Sequence, residues 1–206
     1  VKTPLKKGKP TRKTGTSLTF TPDGEIFGAK RKFERETIVE HLEGKSYLHR
    51  GLTVVFIDET ESPARTLALK HDGGIAEYLT KIVSERGKPP VPPAAAHFYL
   101  NREEKDAGTG RCEIAMCWTE ATDEHVRSYV NGIRTGSGGS HEAGLKSGVV
   151  KAVRNYVATH ELMPKGVNVT ADDIREGMCV ILSVYLLEPQ FQGQTKDRLN
   201  NPEAMS

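Results

Sequence analysis

The sequence predicts an α/β fold, of the α+β kind, with a two-layer α/β sandwich over residues 71–206. Three observations support this prediction. Strand-like and helix-like segments alternate along this part of the chain. The most apolar run, MCVILSVYLL at 178–187, is typical of a buried central strand. Apolar residues between 140 and 160 recur at helical spacing, which predicts a long helix packed on a sheet.

The part of the chain before residue 71 contains a mixture of short elements. Alternation of apolar and polar residues in TGTSLTFT (14–21) predicts a half-buried strand. The apolar residues of 33–48 keep roughly helical spacing and predict a helix. Two apolar stretches, 52–58 and 65–71, then predict a pair of antiparallel strands. We place a domain boundary near residue 70, where the α/β pattern begins.

The part after residue 71 supplies the elements of the sandwich in order. A helix follows Gly73 and Gly74, and its apolar face is formed by Ile75, Tyr78, Leu79, Ile82 and Val83. Three strand-like runs come next, at 97–101, 112–118 and 125–133. A short helix begins at Thr170 and ends at Gly177. Because the strands follow one another along the chain, we expect the helices to lie on one face of the sheet.

The glycine-rich stretch GSGGSHEAGLKS (136–147) raises the question of a phosphate-binding loop. A P-loop has a lysine directly after its second glycine, but Leu145 occupies that position and Lys146 comes one residue later. On a helix one residue corresponds to a rotation of about 100°, so the ammonium group would point away from the loop. The stretch instead favours a glycine turn and a helix that Ser140 caps, with Glu142 in its first turn.

The composition is that of a globular protein. The chain has 206 residues, of which 27% are charged and 36% apolar. No apolar run approaches the roughly 20 residues of a membrane helix, and no signal peptide is recognisable, so we expect no membrane partner and a cytoplasmic location. The three cysteines form no C-x-x-C pair and the seven histidines are scattered. The sequence therefore predicts no metal site held by the protein alone.

Positive charge is concentrated at the start of the chain. Residues 1–35 contain ten Lys/Arg and three Asp/Glu, a net charge of +7, whereas the whole chain carries +2. A basic arm is typical of nucleic-acid binding. It is equally typical of a solvated terminus, and the sequence leaves both interpretations open.

Five segments resemble, in order and spacing, the B subunits of bacterial type IIA DNA topoisomerases, DNA gyrase and topoisomerase IV. They are TGTSLTFTPDGEIF (14–27), YLHRGLTVVFIDE (47–59), GGIAEYL (73–79), GGSHEAGLKSG (138–148) and DIREGMCVILSVYLLEPQFQGQTKDRLNN (173–201). The resemblance spans nearly the whole chain, and the last segment is the most specific. It implies that residues 1–70 are the C-terminal part of a GHKL-type ATPase domain and that residues 71–206 are the transducer domain.

The resemblance also implies an activity, cofactors and partners. It implies an ATP-hydrolysing type IIA topoisomerase subunit, associated with the nucleoid, that uses ATP and Mg²⁺ to drive DNA strand passage. The implied partners are DNA, a topoisomerase A subunit in an A2B2 heterotetramer, and a second B subunit in an ATP-dependent homodimer. The family's helix with the glutamate general base and the magnesium-binding asparagine has no counterpart in this sequence. ATP and Mg²⁺ would be bound mainly through that region, and we expect the chain alone to be inactive.

The resemblance assigns candidate site residues to three places. Gln194, Thr195 and Lys196 match the Gln-Thr-Lys loop that reaches the ATP γ-phosphate, with Lys196 and Gln194 in catalytic roles. Thr16 and Leu18 match residues that line the adenine pocket. The GGSHEAG loop matches the start of a long transducer helix and not a nucleotide loop. Lys146 matches a basic residue that faces the cavity receiving DNA.

Two other classes of function compete with this one. A stand-alone nucleic-acid-binding α/β module without nucleotide chemistry would use the basic arm to bind phosphates, with a steep salt dependence. A small P-loop kinase is the third alternative, and the displaced Lys146 disfavours it.

Overall fold

The computed structural model describes residues 8, 12, 14–28, 32–93, 97–103, 109–163 and 165–205. The first part of the basic arm, residues 1–13, lies outside the described residues except at positions 8 and 12. The chain divides into two compact units, Val1–Glu34 and Arg35–Ser206. Each unit is described by itself.

The N-terminal unit contains one short helix, α1 (Gly24–Phe27), among its described residues. The Asp23 side chain caps this helix by accepting a hydrogen bond from the backbone N–H of Glu25 at 2.8 Å. The strand predicted at 14–21 is wrong, because this segment has no regular structure and Leu18 is 83% exposed. A strand needs a neighbouring strand to satisfy its backbone, and no described strand pairs with this segment.

The C-terminal unit contains the remaining elements. Its helices are α2 (Arg35–Leu48), α3 (Gly74–Arg86), α4 (Ser140–Thr159), α5 (Ala171–Arg175) and a final 3₁₀ turn (Pro202–Met205). Its strands are β1 (Val54–Asp58), β2 (Arg65–Leu69), β3 (Pro90–Val91), β4 (Phe98–Arg102), β5 (Thr109–Thr119), β6 (His125–Val130), β7 (Ile133–Arg134) and β8 (Met178–Leu186). The predicted helices at 33–48, 75–83 and 140–160 are confirmed within a few residues, and so are the predicted strands from 52 onward except one. The run predicted as a single strand at 125–133 ends at Val130, and the chain turns back there to form β7 antiparallel to β6.

The main sheet has six strands with β8 at its centre. Strand β5 pairs antiparallel with β8, with Met116 opposite Val180, and β6 pairs parallel with β8. Strands β3 and β4 extend the sheet beside β5, and β7 lies at the other edge beside β6. The prediction that residues 178–187 form the central strand is confirmed, because nearly every residue of β8 is buried. Strands β1 and β2 form the predicted separate antiparallel pair.

Helices cover both faces of this sheet. Leu145 and Val149 of α4 pack against Met116, Met178 and Val180 on one face. On the other face α3 and α2 pack against the alternate residues of the same strands, in a cluster that contains Tyr47, Ile75, Leu79, Ile82, Ala115, Cys117, Cys179 and Ile181. The α/β class is confirmed, but the expectation that the helices share one face is corrected: successive side chains of a strand point to opposite faces, and both faces of β8 are apolar.

The α4 helix runs from the glycine-rich stretch across the sheet, and α5 then leads the chain into β8. Thr170 starts α5 with a capping box, in which its side chain and that of Asp173 bond each other's backbone N–H groups. Gly177 ends this segment with a φ of 74°. Among the described residues, no helix is both long enough and apolar enough to span a membrane.

Candidate functional site

The Gln194–Lys196 segment forms the exposed tip of a loop that follows the central strand. Phe191 and Leu199 pair as an antiparallel bridge, and the N–H of Gln192 donates to the carbonyl of Arg198 at 2.9 Å. Lys196 has a φ of 61°, which is uncommon for a residue other than glycine and is enriched at ligand-binding sites. Its ammonium group lies 6.0 Å from the centroid of the Phe191 ring. The tip is therefore carried on a short, hydrogen-bonded stem.

Asn201 holds the base of this loop. Its side chain is 1% exposed, and its Oδ1 accepts from the N–H of Gln190 at 2.6 Å. Its Nδ2 donates to the carbonyl of Glu188 at 3.1 Å and to the Glu203 carboxylate at 2.6 Å. Asn201 was not among the residues predicted from the sequence. The sequence signal that could have identified it is its position directly before Pro202, the first residue of the final 3₁₀ turn. A polar residue followed by proline is typical of the start of a helical turn.

The stem of the loop is bonded to the glycine-rich stretch. The N–H of Ser137 donates to the carbonyl of Asp197 at 2.9 Å, and the N–H of Leu199 donates to the carbonyl of Gly138 at 3.0 Å. The N–H of Ser140 donates to the carbonyl of Leu199 at 3.0 Å. These N–H groups already have partners within the chain. The glycine-rich stretch therefore joins two segments of the fold, in agreement with the prediction that it begins a helix.

The cap of α4 differs from the prediction. Gly139, with a φ of 138°, occupies the N-cap position and makes no side-chain cap bond. Ser140 lies one residue further along, and its hydroxyl is buried without a hydrogen-bond partner among the described residues. A cap needs extended backbone at its own position, and the chain places Ser140 inside the first turn. Ser140 is therefore not the cap.

A buried chain of polar side chains ties the first turn of α4 to strand β6 and to the residue that follows β7. Ser128 Oγ donates to Glu142 Oε1 at 2.6 Å and lies 2.5 Å from Thr135 Oγ1. Thr135 Oγ1 lies 3.0 Å from His141 Nε2. Ser128 and Thr135 are each 2% exposed and His141 is 3% exposed. Burial lowers the pKa of His141 to about 4, so the imidazole is neutral at pH 7.

Lys146 lies one turn further along α4 and is paired with carboxylates. Its Nζ is 3.0 Å from Glu124 Oε1 and 3.8 Å from Glu142 Oε2. Glu124 also faces Arg175, with 3.6 Å between Oε2 and Nη1. The Lys146 side chain remains 29% exposed. A phosphate at this position would compete with these two carboxylates for the ammonium group.

A cavity of about 220 Å³ lies beside the loop tip. Thr195 and Asp197 line it from the loop, and residues of α2 and of the β6–β7 turn line the other sides. Glu40 of α2 and Arg134 of β7 are 3.3 Å apart across this region. The structure thus brings the loop tip next to α2, a part of the chain that the resemblance assigns to the ATPase domain.

The predicted site residues fall into both units of the chain. Thr16 and Leu18 belong to the N-terminal unit, and both are exposed. The structure brings Gln194, Thr195 and Lys196 together on one loop and places Lys146 on the helix that begins beside the stem of this loop. Among the described residues, no group of three or more His, Cys, Asp or Glu side chains gathers where a metal ion could bind.

Comparison with known proteins identifies relatives over nearly the whole chain. The profile of the DNA gyrase B family matches residues 74–206. The novobiocin-resistant DNA gyrase B protein of Streptomyces niveus is 34% identical over 215 residues, which cover 97% of this chain and 31% of that protein. The DNA gyrase B protein of Eisenibacter elegans is 34% identical over 198 residues, covering 94% of this chain and 40% of that protein. The chain thus spans about a third of the length of these relatives.

Solved structures agree with this result. The 43K ATPase domain of Thermus thermophilus gyrase B, solved with an aminocoumarin, superposes with a TM-score of 0.72 at 28% identity, covering 89% of this chain and 47% of that one. The topoisomerase IV ATP-binding domain of Francisella tularensis superposes with a TM-score of 0.69 at 27% identity, covering 88% and 46%. The similarity extends through both the sequence and the fold, and the chain belongs to the DNA gyrase B family.

Proposed function

We propose that this chain is part of the ATP-hydrolysing subunit of a type IIA DNA topoisomerase and that its Gln194–Lys196 loop senses the γ-phosphate of ATP. In this proposal residues 1–70 are the C-terminal part of an ATPase domain and residues 71–206 form the transducer domain. The family match over residues 74–206 supports this boundary. Two relatives of known structure are described as an ATPase domain and an ATP-binding domain, which supports the nucleotide.

The observation that carries the proposal is the geometry of the loop. Gln194 and Lys196 are exposed polar side chains, and both are able to bind phosphate. The stem that carries them is hydrogen-bonded to the start of α4 and follows the central strand β8. When bound, ATP with Mg²⁺ would supply a γ-phosphoryl group for transfer to water, with negative charge spread over the three equatorial oxygens of that group. The Lys196 ammonium would stabilise that charge, and the Gln194 amide would orient the phosphate.

We further propose that ATP closes a dimer of two such subunits and that the loop transmits closure to the transducer, which acts on DNA with a topoisomerase A subunit in an A2B2 assembly. Such a loop is a two-state element, because its phosphate contacts exist only in the closed state. The cytoplasm, in contact with the nucleoid, is the location that follows from these partners. Lys146 would contact DNA in this assembly after leaving Glu124.

The test is Lys196→Ala in the full-length subunit. Removing one preorganised donor from a transition state typically lowers the rate by about 10²–10³-fold, and we expect ATP hydrolysis and strand passage to fall by that amount. Gln194→Ala should show a smaller loss. The free energy of unfolding should stay within about 0.5 kcal/mol of wild type, because an exposed loop ammonium contributes little to stability.

Lys88→Ala is the matched control, since Lys88 is another exposed loop lysine. It removes the same charge at a site without a proposed role, and hydrolysis should be unchanged. Wild-type hydrolysis by Lys196→Ala would show that the loop is only a connection. Tight DNA binding by the 206-residue chain alone, with a steep salt dependence, would instead favour the nucleic-acid-binding module.

A further inference from the structure

The loop stem and the start of α4 are in contact along their backbones. A side chain at Gly139 would place its Cβ less than 3.0 Å from the backbone of Leu199. Together with the hydrogen bonds from Ser137, Leu199 and Ser140 described above, this approach leaves little room for the stem to move independently of the first turn of α4. The stem and the first turn therefore form one rigid segment.

Glu142 is the side chain that connects this segment to its surroundings. Its carboxylate folds back against Gly138, where a Cβ would lie 2.8 Å from Oε2. Its Oε1 accepts the hydrogen bond from Ser128 of β6, and its Oε2 faces Lys146. The same carboxylate thus lies close to the glycine-rich stretch, is hydrogen-bonded to the main sheet and faces the basic residue of α4.

The charges around Glu142 make its contacts interdependent. Lys146 provides a cation 3.8 Å from Oε2, and the side chains on the other side, Ser128 and Thr135, are neutral. When Lys146 moves away, the carboxylate loses this counter-charge, and the Ser128 bond then sets its position. In a half-buried site this change alters both the position and the strength of that bond.

We propose that Glu142 is a positioning residue that couples Lys146 to the Gln194–Lys196 loop, so that an anion bound at Lys146 changes the stability of the loop stem. The roles of the two ends, DNA at Lys146 and phosphate at the loop, rest on the proposed function; the coupling between them does not. By linkage the effect is reciprocal, and a phosphate that moves the loop changes the affinity of Lys146 for an anion.

The test measures amide hydrogen exchange in the 206-residue chain without nucleotide or DNA. Glu142→Gln should raise the exchange rates of the Ser137, Ser140 and Leu199 amides about tenfold, because a charge-assisted hydrogen bond is weakened. Amides of β8 should keep their wild-type rates. Lys146→Met, which removes the positive charge, should also speed exchange in the stem. Lys146→Arg, which keeps that charge, should leave the exchange rates at the wild-type values. Glu120→Gln is the control, because Glu120 is an exposed acid outside the cluster.

The double variant Glu142→Gln, Lys146→Met completes the cycle. Non-additive effects on the Leu199 amide support the coupling, since interacting side chains give non-additive changes. Additive effects, or stem exchange at wild-type rates in both single variants, would overturn it. Because this measurement uses no ligand, its outcome is separate from the hydrolysis test of Lys196.

Discussion

At the scale of single residues, buried polar side chains decide the geometry of the loop and its helix. Asn201 forms three hydrogen bonds at the base of the loop, and His141 ends the buried chain that reaches Glu142. Asn201 and His141 are each at least nine-tenths buried. Most buried polar groups in proteins are hydrogen-bonded, because an unpaired one costs free energy, so these bonds favour one arrangement of the backbone.

Asn201→Ala should lower the free energy of unfolding by about 1–3 kcal/mol, because it leaves the N–H of Gln190 and the carbonyl of Glu188 without their partner. Urea unfolding followed by circular dichroism measures this change. Asn200→Ala is the control, since the neighbouring Asn200 is exposed and its backbone N–H, not its side chain, is bonded to the loop base. Equal stability of the two variants would show that the Asn201 side chain does not hold the loop base.

His141 should make stability depend on pH. Its pKa falls from 6.5 to about 4 on folding, so the unfolded chain binds the proton more readily. Stability should therefore be highest above pH 6.5 and should decrease by about 3 kcal/mol as the pH falls towards 4. Urea unfolding at a series of pH values should show a clearly smaller decrease for His141→Gln. The exposed His160 provides the control, and His160→Gln should retain the wild-type profile.

Part of the pH dependence will persist in His141→Gln, because burial also lowers the pKa of His125. If His141→Gln and wild type lost the same stability between about pH 7 and pH 4.5, the imidazole would not be buried in its neutral form.

At the scale of elements, the close approach of two backbones explains the glycines before α4. Gly139 has a φ of 138° and lies against Leu199, and Gly144 lies against Ala204 and Met205 of the final 3₁₀ turn. Side chains at these positions would separate α4 from the loop stem and from the 3₁₀ turn. The glycine-rich stretch thus serves packing between elements, and the P-loop resemblance of its composition is incidental.

Gly139→Ala should lower the free energy of unfolding by about 1–3 kcal/mol, since the new methyl group meets backbone and the φ is strained. Gly148→Ala provides the opposite case on the same helix. A Cβ at Gly148 meets nothing within 4 Å, so that variant should gain about 0.5–1 kcal/mol from the better helix propensity of alanine. Thermal unfolding of both variants tests the prediction. A neutral Gly139→Ala would contradict the packing role.

At the scale of the whole molecule, charge and candidate site residues are unevenly distributed. The first 35 residues carry a net charge of +7, whereas the whole chain carries +2. The exposed Gln194–Lys196 loop and Lys146 both lie outside this basic region, in the unit Arg35–Ser206. In the described part of that unit, no group of three or more His, Cys, Asp or Glu side chains gathers where a metal ion could bind. By the resemblance, the general base and the magnesium ligand have no counterpart in the sequence.

The 206-residue chain should therefore not hydrolyse ATP by itself. Steady-state phosphate release by the purified chain should equal the buffer blank. The Lys196→Ala chain serves as the control for contamination, because a contaminating ATPase would release phosphate equally in both samples. Phosphate release by wild type that Lys196→Ala abolishes would contradict the prediction and would place a complete catalytic centre in this chain.

Patterns with a short period were sufficient to predict most elements from the sequence. The helical repeat of residues 140–160 and the apolar run at 178–187 determined α4 and β8, because burial of one face or of a whole strand selects side chains at local spacing. The Gln-Thr-Lys loop was found through its resemblance to a family, which is a property of the sequence. The role of that loop stays a proposal.

Contacts between distant segments were decided only by the tertiary structure. The strand expected at 14–21 did not form, because alternation indicates a strand only where a neighbour completes its hydrogen bonds. Three further features depend on contacts between segments that are distant along the chain. They are the face of the sheet that α3 covers, the N-cap at Gly139 and the hydrogen bonds of Asn201. Local periodicity does not show which distant segments come into contact. Each contact depends on the shape and the unpaired polar groups of a surface that forms only when the chain folds.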